Sequence, residues 1–235
     1  MSGDALTPGV GACHHPVMSA PITAVIGLTG GIACGKSSVA AHLRRWGAPI
    51  VDADALAREV VEPGEPTLAA VVRAFGPEML QPDGTLDRKR LGARVFGDTA
   101  AVAQLNAIMH PAILARTGRH LAAAQRAKLP WVVYEAALIL ENRAHAGLAA
   151  LIAVLCPADA QLARLLARSE MTEAEARARI AAQTTDEVRR THATWLIDNA
   201  GTPDDLEAAS RRVFDAIVAR GGEPRSLHPT VSDGT

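Results

Sequence analysis

The sequence has few aromatic side chains and few cysteines. Only 3% of its residues are aromatic although 49% are hydrophobic, so a folded core must be built mainly from Ala, Leu, Val and Ile. The three cysteines, Cys13, Cys34 and Cys156, are far apart and form no Cys-x-x-Cys pair. This pattern argues against a disulfide framework or a structural zinc site, and it favours a reducing, cytoplasmic location.

The sequence also lacks a charge excess and a long apolar run. A formal net charge of −1 over 235 residues offers no attraction for a polyanion, so we expect no nucleic-acid partner. The longest apolar run, residues 148–156, is too short to span a bilayer. The first residues show no basic region followed by an apolar stretch, so we expect neither a signal peptide nor a membrane partner.

Apolar segments alternate with amphipathic ones along most of the chain. We predict a disordered leader over residues 1–21, one folded domain over 22–220 and a flexible tail over 221–235. Strands are predicted at residues 22–28, 48–52, 131–134, 148–155 and 195–198, with helices between them. This order predicts an α/β fold with a mainly parallel five-stranded sheet, whose ligands lie beyond the carboxyl ends of the strands.

A phosphate-binding motif follows the first predicted strand. The segment Gly30-Gly31-Ile32-Ala33-Cys34-Gly35-Lys36-Ser37 matches G-x-x-x-x-G-K-[ST] in full. Its backbone N–H groups and the following helix N-terminus favour an anion, so this segment and Ser38 are expected to bind ATP. Lys36 is expected to reach the β and γ phosphates, and the Ser37 hydroxyl is expected to bind Mg²⁺.

Acidic residues end the second predicted strand, and arginines crowd a later helical pair. If Asp52 and Asp54 lie on a strand, both carboxylates face one cleft, where Asp54 can accept a proton from an attacking hydroxyl. An N-cap for the next helix is the other interpretation of this pair. The arginines of residues 158–190, Arg168 among them, either close over the triphosphate as a lid or form solvated ion pairs with nearby glutamates.

Five segments in matching order resemble the dephospho-CoA kinase family, over residues 22–218. These are Leu28-Thr29-Gly30-Gly31-Ile32 with Gly35-Lys36-Ser37, Asp52-Ala53-Asp54-Ala55-Leu56-Ala57-Arg58 running on to Gly64, Asp83-Gly84-Thr85-Leu86-Asp87-Arg88, His110-Pro111-Ala112-Ile113, and Ile197-Asp198-Asn199-Ala200-Gly201. The resemblance implies ATP-dependent phosphorylation of the ribose 3′-hydroxyl of dephospho-CoA, the last step of coenzyme A synthesis.

The resemblance also implies roles for single residues. Asp54 is expected to be the general base, Arg58 and His110 to hold the acceptor, Arg168 to act from the lid and Asn199 to lie near the adenine. It implies a P-loop three-layer fold with a helical acceptor-binding region at 56–129 and a lid at 158–190. The nucleotide-binding core then comprises residues 22–55, 130–157 and 191–220, in a monomer or weak homo-oligomer.

Some positions depart from the family pattern. Ala33 and Cys34 stand where Gly-Ser is expected. After the third strand the chain has Glu135-Ala136-Ala137-Leu138-Ile139-Leu140-Glu141, without the proline common there. Glu135 is a candidate for positioning magnesium or water, and Glu141 for either substrate contact or a structural role.

Two other functions fit a phosphate loop. One is a different small-molecule kinase, acting on a nucleoside monophosphate or a similar acceptor, and the other is a regulatory switch that binds a nucleotide without turnover. The Asp-Ala-Asp and His-Pro segments argue against the first. Asp54 argues against the second, because a switch needs no base.

Overall fold

Five parallel strands form one sheet at the centre of the protein, in a computed structural model that describes residues 23–221. The strands are β1 (Ala24–Gly30), β2 (Ile50–Asp52), β3 (Trp131–Glu135), β4 (Ala150–Leu155) and β5 (Trp195–Asp198). Their order is β2-β3-β1-β4-β5. The predicted five-stranded parallel sheet is confirmed, and the proposed leader and tail lie outside the described residues, apart from Gly221.

Nine helices surround this sheet in the described part of the chain. They are α1 (Lys36–Arg45), α2 (Ala53–Glu59), α3 (Pro66–Phe75), α4 (Arg88–Val95), α5 (Thr99–Arg126), α6 (Ala158–Arg168), α7 (Glu173–Ala181), α8 (Asp186–His192) and α9 (Pro203–Ala219). Residues 23–221 contain no helix with the length and apolar character needed to cross a membrane.

Among the described residues four hydrophobic clusters hold the elements together, and two of them are large. Strands β1 and β4 are buried along almost their whole length, and their aliphatic side chains pack with Leu43 of α1 and Ile217 of α9. A second core joins α3, α4 and α5 through Val71, Phe75 and Leu91. Aliphatic side chains dominate both cores, as the low aromatic content predicts.

The predicted helical pair of residues 158–190 is instead three helices. The capping box of Thr172 and Glu175 starts α7. However, a break follows Ala182, and the Thr185 hydroxyl accepts a hydrogen bond from the Val188 amide to start α8. Thr185 is a good N-cap, so the chain begins a new helix there rather than extending α7.

Close contact between strands requires glycine at the end of β1. A Cβ at Gly30 would lie 2.7 Å from the carbonyl oxygen of Val154 on the neighbouring strand β4. Gly118, in the interior of α5, has open space around the same position. The two glycines therefore form a matched pair for mutation.

We expect Gly30→Ala to lower the free energy of unfolding by about 1–3 kcal/mol, because the added methyl group forces β1 and β4 apart. Gly118→Ala is expected to raise it by about 0.5–1 kcal/mol, because alanine restricts the unfolded chain and favours helix. Urea unfolding followed by circular dichroism measures both. A neutral Gly30→Ala would contradict the close approach of the strands.

Candidate active site

The phosphate loop connects β1 to α1 and depends on glycine at one point in particular. Gly35 has φ 91°, in the left-handed region, and a Cβ there would collide with the side-chain amide of Asn199. Ala33 also has positive φ, at 61°, which an L-residue adopts at a cost of roughly 1–2 kcal/mol. The alanine that replaces glycine here therefore keeps the loop conformation but strains it.

Side chains from later in the chain support the loop from several directions. The Asn199 amide, buried at the end of β5, donates to the carbonyl oxygen of Cys34 over 2.8 Å. Gln161 donates to Cys34 Sγ over 3.1 Å. The structure thus gives Asn199 a supporting contact, and its position near the adenine stays a prediction.

Lys36 lies between two carboxylates at the carboxyl ends of β2 and β3. Its Nζ is 2.8 Å from Glu135 Oε1 and 3.5 Å from Asp54 Oδ2. Glu135 is the last residue of β3 and its side chain is only 5% exposed, whereas that of Asp54 is 53% exposed. The ammonium group of Lys36 therefore has one buried and one exposed carboxylate partner.

The Asp-Ala-Asp segment does not have the predicted strand geometry. Asp52 is the final residue of β2 and caps α2, with its side chain accepting a hydrogen bond of 2.9 Å from the Ala55 amide. Asp54 lies in the first turn of α2, so the argument from strand alternation is wrong. The two acidic residues have separate surroundings, and Asp54 alone contacts Lys36.

A cleft of about 400 Å³ opens beside Asp54. Its lining includes Asp54, His110, Ile113, Tyr134 and Leu138. Sequence reasoning did not select Tyr134, the only tyrosine of the chain. Burial, and then the negative charge of Asp54, raise the pKa of the Tyr134 hydroxyl, so it stays a neutral hydrogen-bond donor at neutral pH.

The other residues predicted from the sequence lie outside the lining of this cleft. Arg58 follows Asp54 by one turn of α2, and Ser37 and Ser38 are exposed in the first turn of α1. Arg168 is the exposed last residue of α6, and within residues 23–221 it forms no hydrogen bond or ion pair with the phosphate loop. Glu141 accepts a hydrogen bond of 2.9 Å from the Thr184 amide, which gives it a structural contact to the lid region.

Two lid-region residues at the loop were missed by sequence reasoning. Gln183 Oε1 accepts a hydrogen bond of 2.7 Å from the Ile32 amide. Arg189 of α8 is 2% exposed, and its Nη1 contacts Asp186 over 2.9 Å. No motif marks either residue. Gln183 lies between α7 and α8, and Arg189 lies on a short charged helix whose sequence is typical of a solvated one.

These elements form a phosphate loop, a lysine with two carboxylates and an adjoining cleft. The sequence model of the Dephospho-CoA kinase family matches residues 24–205, which is more than half of the chain. The chain belongs to the dephospho-CoA kinase family.

Individual members of the dephospho-CoA kinase family are similar over most of their length. The Anaeromyxobacter dehalogenans dephospho-CoA kinase is 47% identical over 86% of this chain and 95% of its own, and that of Thermobifida fusca is 46% identical over 83% and 96%. The crystal structure of TT1252 from Thermus thermophilus has a TM-score of 0.70 at 35% identity, covering 83% of this chain and 98% of that one. The P-loop α/β fold and the family resemblance are both confirmed.

The unusual loop cysteine is an inert thiol. Cys34 is fully buried, and burial, followed by the neighbouring Cys156 and Asp186, raises its pKa to about 12. Burial also raises the pKa of Cys156. Burial therefore outweighs the nearby helix N-terminus, which on its own would favour a reactive thiolate.

We expect the folded protein to resist thiol reagents at pH 8, because Cys34 and Cys156 are both buried and a pKa near 12 leaves only about one Cys34 thiol in ten thousand as thiolate. The measurement uses a Cys13→Ser variant, in which Cys34 and Cys156 are the remaining cysteines. Both should react with Ellman's reagent once denaturant is added. Rapid stoichiometric labelling of the folded variant would contradict the burial.

Proposed function

We propose that this chain catalyses the reaction for which its family is named, the ATP-dependent phosphorylation of dephospho-CoA, at the ribose 3′-hydroxyl. The observation that carries the proposal is the position of Asp54. Its carboxylate lies 3.5 Å from Lys36 Nζ and also lines the cleft. One side chain therefore contacts both the phosphate site and the space for an acceptor, as a base for phosphoryl transfer must.

ATP is the phosphoryl donor, and the loop backbone holds its phosphates. The proposed phosphate-binding residues are Gly31, Ile32, Ala33, Cys34, Gly35, Lys36, Ser37 and Ser38. Lys36 forms its ion pair with Glu135 in the structure, so nucleotide phosphates compete with a carboxylate for the ammonium group. The Ile32 amide donates to Gln183, and phosphate oxygens compete for that donor also.

The residues beside Lys36 suit Mg²⁺. The Ser37 hydroxyl is exposed at the start of α1, and Glu135 supplies a carboxylate nearby. Mg²⁺ prefers oxygen ligands, and one or two side chains with nucleotide phosphates usually hold it. We assign Ser37, with Glu135, to this role; the ion would neutralise charge on the phosphates.

In the proposed step, a bond forms between the 3′-oxygen and the γ-phosphorus while the γ-phosphorus separates from the oxygen it shares with the β-phosphate. The hydroxyl proton passes to Asp54, and ADP leaves with the electron pair of the broken bond. Lys36 stabilises the transferred phosphoryl group, and Arg168 adds a second positive charge when the lid closes.

The remaining predicted residues divide between the acceptor and the lid. Arg58 and His110 hold the acceptor from α2 and α5, and His110 lines the cleft. Glu141 acts on the lid through its hydrogen bond with Thr184 rather than by touching the substrate. We further propose a cytoplasmic location and a monomer or weak homo-oligomer; the unpaired thiols of Cys34 and Cys156 support the first.

The first test compares acceptors with the purified protein, ATP and Mg²⁺. ADP release should depend on dephospho-CoA and yield CoA, and AMP, adenosine and buffer serve as controls. Turnover of AMP in preference to dephospho-CoA would favour a nucleoside monophosphate kinase instead. ATP binding without turnover of any acceptor would favour a regulatory switch.

We expect Asp54→Asn to lower kcat by about 10²–10⁴-fold, because the acceptor hydroxyl loses its base. The dissociation constant for ATP should stay within a few-fold of that of the parent protein. Asp52→Asn is the matched control, because asparagine caps a helix as well as aspartate does and the control removes the same charge two residues away. Normal turnover by Asp54→Asn would remove the base assignment.

A further inference from the structure

Two arginines on α2 and α4 contact each other without a carboxylate partner within residues 23–221, and one of them follows Ala57, which lines the cleft. Arg58 lies on α2, and Arg88 is the first residue of α4. Arg88 Nη2 lies 3.5 Å from the carbonyl oxygen of Arg58. Within residues 23–221 neither guanidinium forms an ion pair, and both side chains are exposed.

The carboxylates around this pair contact other arginines. The carboxylates of Glu59 and Glu65 both lie beside the guanidinium of Arg116, at nitrogen-to-oxygen distances of 3.7 Å and 2.9 Å. Asp87 caps α4 and lies 3.7 Å from Arg90. The two free guanidinium groups therefore form a local concentration of positive charge, in a chain whose net charge is −1.

The electrostatic surroundings of Arg88 agree with this arrangement. Partial burial of its guanidinium, and then the charge of Arg58, lower the pKa of Arg88. An arginine remains cationic at neutral pH in spite of such a shift. Two like charges held close together are unfavourable unless an anion binds between them, so the pair is suited to a phosphate ligand.

Helix geometry relates the pair to Asp54. Arg58 follows Asp54 by four residues on α2, so the two lie on one face, about 6 Å apart along the axis. A ribose with its 5′-methylene group spans a similar distance. An acceptor with its 3′-hydroxyl at Asp54 thus carries its 5′-phosphates toward Arg58 and Arg88.

We propose that Arg88, together with Arg58, binds the 5′-diphosphate of the acceptor and so selects a nucleotide that carries one. This inference rests on the proposed function and adds a specificity-determining residue to it. A guanidinium offers two parallel N–H donors to phosphate oxygens, which a neutral side chain cannot replace.

A purely structural role is the competing explanation, in which Arg88 only donates a hydrogen bond to the end of α2. At 3.5 Å that bond is at the limit for a hydrogen bond. Arg88→Gln separates the two roles, because glutamine keeps an N–H donor and loses the charge. Lys89→Gln is the matched control, because it removes the same charge from the adjacent residue of α4.

The experiment measures kcat, KM for dephospho-CoA, KM for ATP and the melting temperature of the parent protein, Arg88→Gln, Arg88→Ala and Lys89→Gln. We expect both Arg88 variants to raise KM for dephospho-CoA about 10- to 100-fold, the effect of losing a charge-assisted contact. Their kcat, KM for ATP and melting temperature should stay close to those of Lys89→Gln. For adenosine, which has no phosphate, kcat/KM as an acceptor should be the same in the Arg88 variants as in the parent protein.

Other outcomes would overturn the inference in distinguishable ways. If Arg88→Gln behaves as the parent and Arg88→Ala loses kcat and melting temperature together, Arg88 has the structural role. If all variants share the parent's KM for dephospho-CoA, the diphosphate binds elsewhere. If the parent itself does not phosphorylate dephospho-CoA, the proposed function fails, and this inference with it.

Discussion

The ion pair between Lys36 and Glu135 depends on the register of the sheet, and the site depends on that ion pair. Leu28 of β1, Asp52 of β2 and Glu135 of β3 lie in one row across three strands. This row brings the phosphate loop, the start of α2 and the end of β3 to one edge. A buried carboxylate then fixes the lysine there before any nucleotide binds.

The loop is supported by residues from three distant parts of the chain. Asn199 follows β5, Gln161 lies on α6 and Gln183 precedes α8, and each contributes one hydrogen bond. Because the loop backbone has little regular hydrogen bonding of its own, these side chains hold it in shape. The loop is therefore supported by residues of α6, of the segment before α8 and of the end of β5, as well as by the sheet.

Sequence patterns predicted the fold better than they predicted the contacts of the site. Apolar runs such as residues 150–155 identified the strands. A parallel strand that is buried on both faces is continuously hydrophobic in sequence rather than alternately polar and apolar. The phosphate-loop motif was recognised because its spacing carries the chemistry. Asp54 was assigned to a strand because nothing in Asp-Ala-Asp marks where β2 ends and α2 begins.

Arg189 and Gln183 illustrate what sequence patterns leave out. Burial of Arg189 follows from the packing of α8 against β4, which is a tertiary contact between residues far apart in sequence. The pairing of Gln183 with Ile32 spans 151 positions. Tyr134 also belongs to this group, because its alignment with the cleft requires the position of α5 beside β3.

The separation of the two largest hydrophobic clusters has a consequence for how the protein can vary. Val71 and Phe75 pack with α4 and α5, and they share no cluster with Ile26 or Ile152 of the sheet. Substitutions at sites without shared partners change stability independently, so repacking one core requires no compensation in the other. Helices α3 and α4 can thus diverge in sequence while the sheet that carries the phosphate loop stays the same.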